Sequence, residues 1–297
     1  YWFLLLLLSL IWGSSFILMK KGMYSPTGGL VFNSNQVATL RILLASFVLL
    51  PFGYAAIKRI QTKIDMLYFL IVSICGNMLP AFLFTFAETG ISSGFAGMLN
   101  SITPIFTILI GFGFFKIKMT WTQITGSVIG SIGVVSLLFF GKAVSLQGDW
   151  KHIIAVVFAT LCYATSLSTI RYKLSHYKSI DIAAIAFILL IIPSIIIFLI
   201  ERTWIVFETN SLAWDNFIAI SILGLVGTAF ALFLFNNIIK NTSALFASSV
   251  TYFIPIVAVI IGFFFGEQLS LYQILSMLIV LLGVFIANSK GFKNSHH

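Results

Sequence analysis

The sequence predicts an all-α membrane protein with ten transmembrane helices, arranged as two inverted five-helix repeats with the N- and C-termini in the cytoplasm. Three observations predict this fold class. Hydrophobic residues make up 60% of the 297 residues and charged residues only 8%, apolar stretches of membrane-spanning length recur along the chain, and the second half of the sequence aligns with the first. A water-soluble protein of this length would carry a far more charged surface.

Each predicted helix is an apolar stretch of about 17 to 25 residues, which is long enough to cross roughly 30 Å of hydrocarbon. In chain order the stretches are residues 2–20, 37–57, 66–87, 91–115, 120–140, 151–170, 180–200, 214–238, 243–265 and 270–289. A charged residue closes or follows each of these stretches, in order Lys20, Lys58, Glu88, Lys116, Lys142, Arg171, Glu201, Lys240, Glu267 and Lys290. The first stretch lacks the cleavage site of a removable signal, so we expect a retained helix.

Basic residues are distributed unevenly between the loops. With a cytoplasmic N-terminus, the inside loops carry Lys58, Arg59, Lys63, Lys116, Lys118, Arg171, Lys173, Lys178, Lys240, Lys290 and Lys293. The outside carries Lys20, Lys21, Lys142, Lys151 and Arg202. The positive-inside rule therefore predicts that both termini are cytoplasmic. Because this distribution accounts for the net charge of +9, we expect no nucleic-acid partner; the expected partners are the lipid bilayer and a small-molecule substrate.

The two halves align when the sequence is shifted by 151 residues. Pro104 then falls on Pro255, Gly76-Asn77 falls on Gly227-Thr228, and Phe84 falls on Phe235. We assign residues 1–145 and 146–297 to two repeats of one transmembrane domain. Because each repeat has an odd number of spans, the second inserts upside down, and the resulting pseudo-two-fold axis lets the protein open to either side of the membrane. The alternative is that duplication built a stable bundle with no transport role.

Several motifs resemble one known family along essentially the whole chain. Trp12-Gly13-Ser14-Ser15, Arg41, Pro104, the run from Ser248 to Pro255, and Gly266-Glu267 are similar to EamA-type members of the drug/metabolite transporter superfamily. The resemblance implies a central cavity lined by the first, third, fourth, sixth, eighth and ninth spans, with the fifth and tenth as outer support. It also implies export of amino acids, metabolites or toxic compounds.

One departure from the family pattern lies after the fourth span, where Phe115-Lys116 replaces the Gly-Glu pair that the family often carries. The replacement lies on the predicted cytoplasmic side, so we interpret it as part of the topology signal. Gly126, Gly130 and Gly133 in the fifth span permit a close helix contact, either within a monomer or in a homodimer.

Polar and aromatic residues within the spans are the candidates for substrate binding. They are Trp12, Ser15, Asn77, Asn100, Thr103, Tyr163, Ser166, Thr251 and Tyr252. Trp12 and Tyr163 are equivalent in the two repeats, and such rings either stack on an organic substrate or fill space between helices. Asn77 and its equivalent Thr228 should face protein or water, because hydrocarbon penalises an unpaired polar group.

Pro104 and Pro255 are predicted to kink the fourth and ninth spans. Each lacks a backbone donor and crowds the carbonyl four residues earlier, that of Asn100 or Thr251. We expect a pair of kinked gating helices beside the cavity; simple packing kinks are the alternative.

Two charges have no counterpart in the other repeat and are possible charge or coupling sites. Arg41 aligns with Ile192 and Glu88 with Ile239. For Arg41 we expect a side chain that snorkels to the membrane surface, and the alternatives are a one-sided gate or a contact with a substrate carboxylate. For Glu88 we expect a surface charge, with proton coupling as the alternative.

The predicted function is that of a secondary transporter in the plasma (inner) membrane, which moves a small organic metabolite by alternating access. The best candidate substrate is a hydrophobic or aromatic amino acid, moved in the export direction. An exporter of toxic organic cations or drugs, a channel, and a lipid-handling protein are the alternatives. No metal-binding or nucleophile motif predicts an enzyme, and we expect no cofactor.

Overall fold

A computed structural model of the chain describes residues 1–116, 120–140, 150–241, 250–266 and 270–293. The helices of the first half are α1 Trp2–Met23, α2 Ser34–Ile57, α3 Lys63–Ser73, α4 Leu79–Ala87, α5 Ser93–Asn100, α6 Thr103–Phe115 and α7 Trp121–Phe140. Those of the second half are α8 Trp150–Lys173, α9 Ser179–Ile188, α10 Ile191–Ile200, α11 Thr203–Thr209, α12 Ala213–Gly224, α13 Ala231–Asn241, α14 Val250–Phe264 and α15 Leu271–Lys293. Two π-helical turns join consecutive helices: π1, Ile74–Met78, joins α3 to α4, and π2, Leu225–Phe230, joins α12 to α13.

Seven helical segments of the described chain are long and apolar enough to cross a membrane. They are Trp2–Met23, Ser34–Ile57, Lys63–Ala87, Ser93–Phe115, Trp150–Lys173, Ser179–Ile200 and Ala213–Phe235. Helices α7, α14 and α15 lie at the positions of the three remaining predicted spans. The protein is therefore all-helical with multiple membrane helices, whereas the total of ten crossings and the side of each terminus stay predictions.

The outer surface of the helices is apolar. Large hydrophobic side chains point outward, including Phe47, Phe114 and Ile192, which are 57%, 84% and 71% exposed. Contiguous apolar surface of this kind would be costly in water but suits a hydrocarbon surrounding. Inside, α1 contributes Leu5, Leu8 and other buried residues to the main apolar cluster.

Helix packing repeats between the two halves. Helix α1 packs against α12, α13 and α14, while its equivalent α8 packs against α3, α4 and α6. Helix α2 packs against α9 and α10, and α7 packs against α15. The contacts of α1 and those of α8 are therefore equivalent under the shift that aligns the two halves. The α2 contact with α9 and α10, and the α7 contact with α15, each join two equivalent elements.

Helices at equivalent positions of the two repeats run antiparallel where they touch. Along α2 the contacts run from Gln36, which meets Glu201, to Arg59, which meets Asp181. Between α7 and α15, a Cβ on Gly133 would lie 2.6 Å from the backbone nitrogen of Val280, and Gly283 meets Gly130. Glycine is needed at these positions because the two backbones approach within the space that a side chain would occupy. The glycine face of the fifth predicted span thus packs within the same chain.

Candidate functional site

The two π turns lie 151 residues apart, at equivalent positions of the repeats. In π1 the Asn77 side chain donates from Nδ2 to the carbonyl of Val72, at 3.2 Å. In π2 the Thr228 hydroxyl donates to the carbonyl of Leu223, at 3.0 Å. A π turn interrupts the regular helical hydrogen bonds, and these side chains satisfy carbonyls five residues earlier. Both polar residues predicted at mid-span are therefore paired with their own helix.

Each π turn is approached closely by the first helix of the opposite repeat. A Cβ on Gly227 would lie 2.9 Å from the hydroxyl oxygen of Ser15 in α1, and one on Gly76 would collide with the hydroxyl of Ser166 in α8. Ser15 and Ser166 are both buried. The absence of a side chain on each glycine is therefore what allows these helices to reach the turns.

Trp12 and Tyr163 form equivalent aromatic pairs across the two repeats. The Trp12 ring meets Phe235 edge-on with centroids 5.0 Å apart, and the Tyr163 ring lies 5.9 Å from Phe84. Trp12 also donates from Nε1 to the carbonyl of Gly227 in π2, at 3.2 Å. The sequence alignment of Phe84 with Phe235 was the available signal for these pairs. Trp12 thus stands beside π2, while Tyr163 packs on α4, the helix that follows π1.

Arg41 does not snorkel to the membrane surface, so this expectation was wrong. Its Nε donates to the hydroxyl of Thr228 at 2.8 Å, and its Nη1 lies 3.9 Å from the sulfur of Met19. Because a charge at membrane mid-depth costs about 3 kcal/mol, a nearby acceptor favours an inward orientation. The partner lies 187 residues away in sequence, which is why the sequence did not indicate it.

Gly224 of α12 brings α2 close to π2. A Cβ at this glycine would lie 2.9 Å from the Cβ of Leu44 and 3.0 Å from the backbone oxygen of Arg41. The close helix contact carries the guanidinium of Arg41 to the hydroxyl of Thr228.

Pro104 lies in the first turn of a separate helix, not at mid-helix as predicted. Helix α5 ends at Asn100 and α6 begins at Thr103. The Thr103 hydroxyl donates to the Asn100 carbonyl at 2.8 Å and lies 3.4 Å from its side-chain oxygen. This hydroxyl replaces the backbone donor that proline lacks, so the span is interrupted without leaving the carbonyl unpaired.

Pro255 is buried inside the continuous helix α14. The side chains of its predicted neighbours Thr251 and Tyr252 lie outside the described part of the structure. Helix α14 itself contacts the helix of Trp12, because a Cβ on Gly13 would lie 2.6 Å from the Cβ of Val257. A gating role for either proline stays a prediction.

Glu88 is buried, so the expected surface charge was wrong. It is 2% exposed and accepts a hydrogen bond from the Ser93 hydroxyl, at 2.9 Å. The adjoining turn packs against His152, whose Nε2 lies 3.2 Å from the Thr89 hydroxyl and whose ring contacts Gly90. Glu88 therefore belongs to a polar cluster between α4, α5 and α8, away from π1 and π2. Proton coupling through Glu88 stays a prediction.

Two groups of polar contacts that the sequence did not predict join α2 to the α9–α10 span. Near the start of α2, Glu201 accepts from Asn33 at 2.8 Å and from Asn35 at 2.7 Å. Near its end, Arg59 donates to both oxygens of Asp181, at 3.0 and 2.6 Å. These partners are more than a hundred residues apart, and a single sequence offers no sign that they pair.

A third missed contact lies beside the Arg59 pair. The Tyr177 hydroxyl donates to Asp65 at 3.0 Å and accepts from the backbone nitrogen of Gln61 at 2.8 Å. Burial raises the pKa of the Tyr177 phenol above its usual value, and its bond to Asp65 acts in the same direction. The neutral phenol therefore remains the donor to this carboxylate.

Membrane helices interrupted at equivalent positions of two repeats are typical of multi-pass membrane transporters. The sequence model of the EamA-like transporter family matches residues 1–139 and again residues 150–289. The chain therefore belongs to the EamA-like transporter family and carries two copies of its repeat. The resemblance found in the sequence is confirmed.

Relatives with transporter names match along nearly their whole length. An uncharacterized transporter of Archaeoglobus fulgidus is 27% identical, with 97% of this chain and 99% of the relative covered. The uncharacterized inner membrane transporter YedA of Escherichia coli strain K12 is 23% identical, with 94% and 87% covered. A solved crystal structure that is 14% identical superimposes with a TM-score of 0.65 over 98% of this chain and 97% of that chain, which supports the fold.

Proposed function

We propose that this membrane transporter carries a small organic metabolite by alternating access, and that the substrate is a hydrophobic or aromatic amino acid moved out of the cell across the inner membrane. The observation that carries the proposal is the pair of π turns, each met by a serine from the first helix of the opposite repeat, with Trp12 also hydrogen-bonded to π2. Interrupted helices at a repeat interface are where carriers of this architecture bind their substrates.

The arrangement of helix ends supports an inverted-repeat carrier. Side-chain contacts join loops that the charge pattern assigns to the same side. On one side Asn33 meets Glu201, Thr89 meets His152 and Lys21 meets Phe265. On the other, Arg59 meets Asp181 and Tyr177 meets Asp65. Antiparallel packing of equivalent helices agrees with inversion. A carrier of this kind opens alternately to each side by rocking one repeat against the other.

The chemistry of the candidate site favours an amphipathic substrate of small size. Trp12 and Tyr163 offer aromatic surface, while Ser15 and Ser166 lie one turn further along the same helices. The guanidinium of Arg41 disfavours organic cations by repulsion. A phosphorylated substrate would call for several clamping cations, whereas Arg41 is the one cation that reaches π2 among the described residues.

Counterflow in proteoliposomes tests the proposal. Purified protein is reconstituted with unlabelled phenylalanine, leucine or tryptophan inside, and entry of the labelled amino acid is followed. We expect saturable, trans-stimulated uptake, and faster export than import in oriented vesicles. Flux that neither saturates nor responds to substrate on the opposite side would identify a channel. Absence of amino-acid flux, with trans-stimulated exchange of an organic cation, would overturn the proposed substrate.

Aromatic truncation tests where the substrate binds. Trp12→Ala and Tyr163→Ala should each raise the apparent KM at least roughly fivefold, because loss of an aromatic contact costs about 1 kcal/mol. Trp121→Ala is the matched control, since Trp121 is 79% exposed at the start of α7. Unchanged KM in both site variants would remove these residues from the binding site.

A further inference from the structure

We propose that Arg41 binds a carboxylate group of the transported molecule, which makes the substrate an organic acid or a zwitterion with an apolar body. The inference rests on the proposed function and specifies the chemistry of its site. It starts from the orientation of the Arg41 side chain, which points from α2 to π2 and not to the membrane surface.

Most of the hydrogen-bond donors of Arg41 remain available to a ligand. A guanidinium has five N–H donors in a planar fork. Nε donates to Thr228 at 2.8 Å, and Nη1 faces the sulfur of Met19 at 3.9 Å, which is a weak acceptor. Among the described residues, no carboxylate lies within ion-pair distance of Arg41. An inward-facing cation with free donors fits an anionic ligand.

The guanidinium is fixed in orientation before any ligand binds. The Thr228 hydroxyl gives its single proton to the Leu223 carbonyl at 3.0 Å, so its lone pairs are left to accept from Arg41. The close approach of α2 at Gly224 restrains the backbone of Arg41. With Nε held in this way, the Nη groups present paired donors, which match the two oxygens of a carboxylate.

The surroundings of Arg41 specify a ligand with one anionic group. Its equivalent in the other repeat is Ile192, which is 71% exposed on the outer surface, so the cation is not duplicated. The Trp12 ring lies beside this position, because its Nε1 donates to the carbonyl of Gly227, the residue before Thr228. One cation beside aromatic surface fits a monocarboxylate with an apolar or aromatic body.

A series of phenylalanine analogues, of which some keep and some lack the carboxylate, tests the inference by binding and by transport. Thermal stabilisation of the purified protein in detergent is measured with phenylalanine, 3-phenylpropionate, phenylalaninamide and phenylethylamine. We expect stabilisation by the first two and none by the amide or amine. The same compounds should compete with labelled phenylalanine in counterflow in the same order.

Substitution of Arg41 supplies the matched test. Arg41→Gln should weaken phenylalanine binding at least tenfold, while Arg41→Lys, which keeps the charge but not the fork, should fall between it and the unaltered protein. Arg202→Gln is the control, because Arg202 lies in an exposed turn outside the spans. If Arg41→Gln does not yield folded protein, the binding of the four compounds is compared between Arg41→Lys and the unaltered protein, and this comparison decides whether Arg41 binds the carboxylate.

The outcomes separate this inference from the proposed function. Carboxylate-dependent binding without flux would support the proposal that Arg41 binds a carboxylate, and it would overturn transport of these compounds. Saturable flux with equal acceptance of the amide, or with unchanged affinity in Arg41→Gln and Arg41→Lys, would overturn the role of Arg41 and leave transport intact. Absence of carboxylate-dependent stabilisation and of flux would overturn both.

Discussion

The hydroxyl group of Thr228 makes two hydrogen bonds. It donates to Leu223 within π2 and accepts from Arg41 of α2, so it links the irregular backbone of one repeat to the charged side chain of the other. Its equivalent, Asn77, satisfies π1 through Val72. In both turns a polar side chain therefore satisfies a backbone carbonyl, whereas π2 also meets the charged side chain of Arg41.

Replacing Thr228 with valine should lower the free energy of unfolding by roughly 2 kcal/mol, because a buried carbonyl and a guanidinium both lose a partner. Thermal melting of the purified protein in detergent measures the loss. Thr85→Val is the control: its hydroxyl bonds to Ala81 and Phe82, carbonyls within the same regular helix. Equal loss of stability in the two variants would contradict a special role for Thr228.

The sequence identified which polar residues lie at the interrupted helices better than it identified the contacts that individual side chains make. The alignment of Gly76-Asn77 with Gly227-Thr228 located both turns, because the same small and polar pair occurs twice. It did not predict the π geometry, which depends on the helix register. The orientations of Arg41 and Glu88 were misjudged, because they depend on partners such as Thr228 and Ser93 whose proximity only the packed structure reveals.

The elements of the two repeats differ at their equivalent prolines. The sequence predicted similar kinks, yet Pro104 follows a break between α5 and α6 whereas Pro255 lies within α14. Thr103 can satisfy the freed carbonyl of Asn100, but the residue equivalent to Thr103 is Ile254, which has no hydroxyl. A single side chain therefore accounts for the ability of one span to open its backbone at this point.

Helices α7 and α15 depend on glycine for their contact. A Cβ at Gly283 would collide with the backbone of Gly130 and lie 2.6 Å from the backbone oxygen of Gly126. Gly283→Ala should therefore lower the free energy of unfolding by about 2 kcal/mol or more, since backbone atoms cannot give way as a flexible side chain does. Chemical or thermal unfolding in detergent provides the measurement.

Gly113→Ala is the control for this helix pair. Among the described residues, no atom outside the Gly113 helix's own backbone lies within 4 Å of the Cβ position, so alanine should be neutral or stabilising by up to about 1 kcal/mol through its higher helix propensity. A Gly283→Ala variant as stable as Gly113→Ala would show that the two helices can separate at little cost.

Across the whole molecule, α2 and the α9–α10 span are joined at both ends. Glu201 ties one end through Asn33 and Asn35, and the Arg59–Asp181 pair ties the other. An all-helical membrane protein and its family were predictable from hydrophobicity and repetition, which are properties of sequence alone. These polar contacts between the repeats were not predictable from the sequence, because they depend on how two distant halves of the chain pack together.

The predicted inversion is tested by labelling equivalent loops. Thr27 and Ser175 are exposed in the loops that follow α1 and α8. In a background with Cys75 and Cys162 replaced by alanine, a membrane-impermeant thiol reagent should label Thr27→Cys in intact cells and Ser175→Cys only after the membrane is opened. Labelling of both from the same side would contradict an inverted second repeat.

The contact between α7 and α15 is reciprocal. Gly133 meets Val280 and Gly283 meets Gly130, and the alignment that relates Gly133 to Gly283 also relates Gly130 to Val280. Such an isologous arrangement is the geometry by which two identical subunits recognise each other. The two halves of the chain thus carry complementary faces, and a split protein expressed as two separate pieces carries the surface by which the pieces find each other.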